Sequence, residues 1–151
     1  MSNIIFLDID GVLNHQLFYQ NGENGEYDED NIDKFGIELL NELCQETNSK
    51  VVISSSWRKG RTLEYLQKLF KRVGATFEII DKTPISDTRI RGIEVREWTE
   101  EHEDEFDNYV IIDDDSDFLI WQQHNLFLVD NYCGLTPNVC YRIRRFLTSQ
   151  K

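Results

Sequence analysis

Ile4-Ile5-Phe6-Leu7-Asp8-Ile9-Asp10-Gly11-Val12-Leu13-Asn14 is the stretch that decides the fold. Five of the seven residues from Ile4 to Asp10 are apolar, several of them β-branched or aromatic, which reads as a buried strand that ends on two carboxylates. Gly11 follows, lets the backbone turn sharply and leaves room for a substrate beside it. Burying two acids at such a place costs several kcal/mol unless a cation or hydrogen bonds compensate. The turn preference of aspartate explains one Asp before a glycine, but not a pair at the mouth of so apolar a run.

Outward from this strand, the chain alternates between two periodicities. Ile32, Phe35, Leu39, Leu40 and Leu43 recur at helical spacing, predicting a helix over residues 30–46. Residues 50–54 form a short apolar strand, and Leu63, Leu66, Leu69, Phe70 and Val73 mark a helix closed by Gly74. A strand is expected at 77–80, a helix at 93–103, a strand at 109–112, a short helix at 118–123 and a strand at 126–129. Thr136-Pro137 is a helix start, with Thr as cap and Pro at the first helical position, and that helix runs to about Leu147. Asn21-Gly22 and Asn24-Gly25, between Leu17-Phe18-Tyr19 and Tyr27, suggest a β-hairpin flap or an irregular loop.

Strands alternating with helices across short connections imply an α/β fold: a Rossmann-like three-layer sandwich around a mainly parallel sheet. Binding sites in such folds lie at the carboxyl ends of the strands. The residues there are Asp8 and Asp10, Ser54-Ser55-Ser56, Asp81-Lys82-Thr83, Asp113-Asp114-Asp115 and Asp130. This uniform polarity is that of one site assembled from several strand ends.

The 151 residues suit one domain with a proper core. No apolar run is long enough to span a bilayer and no charged-then-apolar leader precedes the first strand, so the expectation is a soluble, cytoplasmic protein without a membrane partner. Cys44, Cys133 and Cys140 are odd in number and contain no Cys-x-x-Cys pair, as expected of reduced thiols. His15, His102 and His124 lack ligand spacing. The formal charge of −12 gathers between Glu23 and Asp33 and between Glu94 and Asp107, solvated faces that repel polyanions and exclude binding to long nucleic-acid tracts. A nucleic-acid end held in a local basic pocket stays compatible with that charge.

Asp8-Ile9-Asp10-Gly11-Val12-Leu13 at the end of a first strand resembles the opening motif of the haloacid dehalogenase superfamily of phosphotransferases. The resemblance implies that Asp8 attacks a phosphoryl group, while Asp10 protonates the leaving group and then activates water. Superfamily dehalogenases lack the second acid, so Asp10 points to phosphate esters. Val51-Val52-Ile53-Ser54-Ser55-Ser56-Trp57-Arg58 is similar to the phosphate-holding motif. Ser54 or Ser55 would bind phosphate, and Arg58 would add a bidentate contact. Arg91, with Arg89 in reserve, stands where the superfamily places a basic residue, more often Lys. Val110-Ile111-Ile112-Asp113-Asp114-Asp115-Ser116-Asp117 resembles the metal-binding motif. With Asp8 and the backbone carbonyl of Asp10, Asp113 and Asp114 would hold Mg²⁺; Asp117 is a possible substitute for one of them, and Asp115 is expected as a helix cap.

The wording of all four motifs is similar to a narrower group, the phosphatase-like domains of the Swiss Army Knife RNA-repair proteins. That likeness implies a Mg²⁺-dependent phosphomonoester hydrolase acting through an aspartyl phosphate, on a nucleotide or a nucleic-acid phosphate end. Phosphatase action on a small metabolite or phosphoprotein, and a non-catalytic binding module of the same fold, are the alternatives. The gaps between motifs hold no large cap domain, so the site is expected to be open, and Phe18, Tyr19 and Tyr27 are candidates to stack a base.

Overall fold

The computed structural model describes residues 1–16 and 32–149. The suggested flap, with Phe18, Tyr19 and Tyr27, lies outside them. The strands are β1 (Asn3–Leu7), β2 (Ser49–Ile53), β3 (Ile79–Lys82), β4 (Tyr109–Asp113) and β5 (Leu126–Leu128). They form one open, parallel sheet in the order β3-β2-β1-β4-β5. The helices are α1 (Lys34–Thr47), α2 (Leu63–Arg72), α3 (Arg91–Glu101) and α4 (Pro137–Ser149). This is the three-layer α/β arrangement expected, and none of the described helices is long and apolar enough to cross a membrane.

Alternation along the strands builds the layers. Ile5 and Leu7 of β1, with Val51, Ile53, Val110 and Ile112, face Leu40, Leu43, Leu66, Phe70 and Ile143 from α1, α2 and α4. Ile4 and Phe6, with Val52 and Ile111, face Val95 and Trp98 of α3 on the other side. Central strands apolar on both faces are what a covered parallel sheet requires. A fully buried Leu or Phe contributes about 1.5–3 kcal/mol by leaving water.

Boundaries moved where a cap or a packing contact outweighed periodicity. Asp33 accepts from the Phe35 amide and starts α1 at Lys34, later than the apolar spacing implied. β3 begins two residues late, and Phe77, before it, packs its ring against Phe70. The expected helix at 118–123 is a 3-10 turn over Ile120–Asn125. Thr136 does cap α4, its hydroxyl accepting from the Val139 amide at 3.3 Å.

The strand order places the site. From β1 the chain winds outward through β2 and β3, then crosses to β4 on the opposite flank of β1. The connections leaving β1 and β4 diverge, which opens a crevice at their carboxyl ends. Asp8 follows β1 there, and Asp113 is the last residue of β4.

Candidate active site

Among the described residues, three buried side-chain oxygens without hydrogen-bond partners lie just beyond the carboxyl ends of three adjacent strands: Asp8 Oδ1, Ser54 Oγ and Thr83 Oγ1. Orphaned buried polar atoms cost about 1–3 kcal/mol each, so three at one rim indicate a place built for a polar ligand. The strand ladders run on into these positions: the Asp8 amide bonds Ile112, the Ser54 amide bonds Leu7, and the Thr83 amide bonds Ile53.

Asp8 is 1% exposed and faces like charge. Single carboxylate oxygens of Asp8, Asp113 and Asp114 lie within 4.8 Å of one another. Burial, and then the neighbouring Asp113, push Asp8 up from 3.8 to about 8, although Arg91 opposes them. Asp113 is raised as well, by burial, against the pull of the same guanidinium. Arg91 bridges the two acids, with Nη1 at 2.7 Å from Asp113 and 3.3 Å from Asp8. Although burial works against its charge, these two partners hold its proton more tightly than usual.

Arg91 reaches them because α3 starts on it. The Gly92 amide donates to Asp117 O, and a Cβ on Gly92 would stand 2.8 Å from the Leu119 nitrogen and 2.9 Å from Phe118 Cα. The helix end is thus seated against the loop after β4. Arg89, the reserve candidate, is exposed, adopts a left-handed backbone (φ 58°), and makes no ion pair with the cluster among the described residues.

Gly11 sits across the cluster with φ 84°. A Cβ there would fall inside the contact radius of Asp114 Oδ2 and 3.2 Å from the Asn131 Cβ. Gly11 therefore gives the Asp114 carboxylate its position, in addition to the expected close approach of substrate. Gly11→Ala is expected to destabilise the fold by about 1–3 kcal/mol through backbone strain, and to raise the Mg²⁺ concentration for half-maximal activity by roughly tenfold. Denaturant unfolding and a Mg²⁺ titration of turnover check this; unchanged Mg²⁺ dependence would refute it.

The remaining expected contacts divide. Ser55 is fully buried and its hydroxyl accepts from the Trp57 amide, capping the 3-10 turn Ser56–Arg58, so it is Ser54 that carries the unsatisfied hydroxyl. Arg58 does not present a fork to phosphate, contrary to expectation. Its five N–H donors go to Thr83 O, Ser54 O, Ser55 O, Pro84 O and Glu94 Oε1, the last at 2.7 Å. With the side chain 2% exposed, burial lowers its pKa while Glu94 opposes the shift. Glu94 also accepts from the Ser86 amide, so the pair ties the β2 turn, the loop after β3 and α3 together. Asp115 caps no helix: it closes a turn by accepting from the Asp117 amide. Asp117 is exposed and stands outside the carboxylate cluster.

Asp10 is held differently from Asp8. Its Oδ1 accepts from Trp57 Nε1 at 2.9 Å and from Asn14 Nδ2 at 3.2 Å, and its side chain is not part of the three-acid cluster. In the sequence Trp57 stands only as part of the run similar to the phosphate-holding motif. The missed signal was an indole N–H, a donor that must find a partner when buried, three residues after the strand-end serine.

The described strands and the carboxylate cluster fall inside one comparison. Over residues 4–139 the chain matches the family model described as the HAD (haloacid dehalogenase) domain in Swiss Army Knife RNA repair proteins. The chain belongs to that family. No curated protein and no solved structure matches it. Membership makes it a phosphatase-type haloacid dehalogenase domain at the level of the superfamily. This superfamily generally uses Mg²⁺, and the residues of this domain fit such an ion: three carboxylates converge, and Asp8 Oδ1 has no donor.

Proposed function

We propose that this domain hydrolyses phosphomonoesters through an aspartyl phosphate with Mg²⁺, acting on a nucleotide or a nucleic-acid phosphate end. One observation carries the reading. Asp8 Oδ1 and Ser54 Oγ, on neighbouring strand ends, are buried and unsatisfied beside a carboxylate cluster that holds more negative charge than Arg91 alone can balance.

In the first step an Asp8 oxygen attacks phosphorus as the ester P–O bond breaks, and Asp10 gives a proton to the departing alkoxide. In the second, Asp10 takes a proton from water, whose oxygen attacks phosphorus and releases phosphate, restoring the Asp8 carboxylate. Trp57 and Asn14 fix where the Asp10 carboxyl points through both steps. Arg91 stays on Asp8 and would share its charge with the equatorial phosphoryl oxygens. The Ser54 hydroxyl would donate to one of those oxygens. Asp8, Asp113, Asp114 and the Asp10 carbonyl would hold Mg²⁺, which when bound offsets carboxylate repulsion and neutralises phosphoryl charge.

The chain's net charge of −12 favours a second reading, a phosphatase of a small metabolite or phosphoprotein. Phosphate release from p-nitrophenyl phosphate, with Mg²⁺ and with EDTA, is the first test. Turnover is expected to vanish in EDTA and return with excess Mg²⁺; equal rates in both would sink the metal assignment. Asp10→Asn is expected to phosphorylate itself slowly and release phosphate more slowly still, at least about 10²-fold below wild type. A panel of phosphorylated nucleotides, oligonucleotides, sugars and peptides then ranks the two substrate readings.

A further inference from the structure

We propose that Thr83 is a second hydroxyl donor to the phosphoryl group, its Oγ1 sharing one equatorial oxygen with Ser54 Oγ. The proposal rests on the phosphomonoesterase reading of the Asp8 site and adds to it a residue at the end of β3, a strand that none of the four motifs uses.

The sheet register sets four residues in one row. Leu7 pairs with Ile53 and with Ile112, and Ile53 pairs with Lys82. The amide bonds from Asp8 to Ile112, from Ser54 to Leu7 and from Thr83 to Ile53 carry each ladder one residue further. Asp113, Asp8, Ser54 and Thr83 therefore lie side by side across β4, β1, β2 and β3, on strands about 4.8 Å apart. They also share a face of the sheet. Leu7, Ile53 and Ile112, one residue earlier, point toward α1, α2 and α4, so Asp8, Ser54 and Asp113 point to the α3 side. Asp81, two residues before Thr83, accepts from Trp98 Nε1 of α3, which puts Thr83 on that side as well. A slip in register decides this. Val51 pairs with Ile79 but Val52 with Asp81, so β3 carries one extra residue there. Without it Lys82 would stand opposite Ser54; the slip brings Thr83 there instead.

Elsewhere in the chain nearby hydroxyls pair with each other, Thr47 with Ser49 at 2.6 Å and Ser86 with Thr88 at 2.9 Å. Ser54 and Thr83 do not. Both are at most 3% exposed, and neither hydroxyl has a partner among the described residues. Two hydroxyls left open side by side define a place for a shared acceptor. At O–H···O distances of about 2.7–2.8 Å, one oxygen can accept from both across that spacing. An equatorial phosphoryl oxygen suits the place, because it carries negative charge through both steps and because Asp8, the attacking group, stands on the other side of Ser54. Arg58 holds the two donors in register. Its Nε donates to the Thr83 carbonyl at 3.0 Å and its Nη1 to the Ser54 carbonyl at 3.3 Å, so one buried guanidinium fixes both strand ends.

The test is Thr83→Val, which keeps the shape and removes the hydroxyl, beside Thr83→Ser, which keeps the hydroxyl. With Mg²⁺, Thr83→Val is expected to lower kcat/KM roughly tenfold, the size of one hydrogen bond to a charged group. The factor should be the same for p-nitrophenyl phosphate and for an alkyl phosphate, since an equatorial oxygen is held whatever alcohol leaves. Thr83→Ser should recover most of the loss. Without phosphate or substrate, Thr83→Val should melt no lower than wild type, because it deletes a buried hydroxyl that has no partner in the fold. Unchanged kcat/KM, a loss that depends on the ester, a serine variant as impaired as the valine one, or a lower melting temperature each overturns the proposal. Calorimetric titration with inorganic phosphate and Mg²⁺ separates this failure from failure of the catalytic reading. If no ester is turned over, yet Thr83→Val weakens phosphate at least about fivefold and Thr83→Ser does not, Thr83 stands as a phosphate ligand and the aspartyl-phosphate reading falls. If esters are turned over but all three proteins bind phosphate alike, the catalytic reading stands and the Thr83 assignment falls. Neither turnover nor phosphate binding in the wild type overturns both.

Discussion

Asp8→Asn is expected to lower kcat by at least about 10⁴-fold, the largest effect of any single change in this domain. The amide keeps the shape and removes the attacking oxygen's charge, while Asp10 is tied to Trp57 and Asn14 and Asp113 to Arg91. The same change should stabilise the metal-free protein. Burial and Asp113 raise Asp8 from 3.8 to about 8, so between those pH values the folded protein keeps a proton that the unfolded chain has lost. Stability then falls as pH rises through that window, by up to about 1.4 kcal/mol per unit from this group, and levels off above it. Asn carries no such slope. In EDTA, Asp8→Asn should melt above wild type at pH 8 and level with it near pH 4, and Mg²⁺ should narrow the gap at pH 8. Retained turnover would refute the nucleophile assignment; a melting difference independent of pH would refute the electrostatic account.

Arg91→Ala is expected to cost about 10³-fold in kcat/KM and roughly 3–5 kcal/mol of stability at neutral pH without metal. The reason is the bridge: Nη1 contacts Asp113 at 2.7 Å and Asp8 at 3.3 Å, and its loss leaves two buried acids facing each other beside Asp114. The stability loss should shrink toward pH 4, where Asp113 as well as Asp8, both raised by burial, hold their protons with or without the guanidinium, and excess Mg²⁺ should recover part of the loss at pH 8. Arg91→Lys, with one ammonium in place of a fork, should restore more stability than activity. Urea unfolding at pH 4 and 8 and steady-state kinetics measure both. Activity within threefold of wild type would show that Arg91 only neutralises the cluster and takes no part in the reaction.

What the sequence determined by itself was local and periodic. The apolar run into Asp8, the equivalent runs into Ser54 and Asp113, and the helical spacing between them are properties of neighbouring residues. They set the parallel α/β sandwich and the rim on which the site lies. Tertiary structure decided everything that depends on which donors meet which acceptors. Arg91 rather than Arg89 reaches Asp8 because Gly92 lets α3 seat against residues 117–119. Ser55 spends its hydroxyl on a turn, while Ser54 keeps its own unsatisfied. Arg58 looked like a phosphate fork from its position after the serines, yet Glu94, 36 residues on, takes it into the core. Trp57 packs in the core, yet its indole N–H fixes Asp10. A side chain's type and spacing limit what it can bond, but a buried donor bonds whichever acceptor the packing brings within 3 Å, and that acceptor is often distant in the chain.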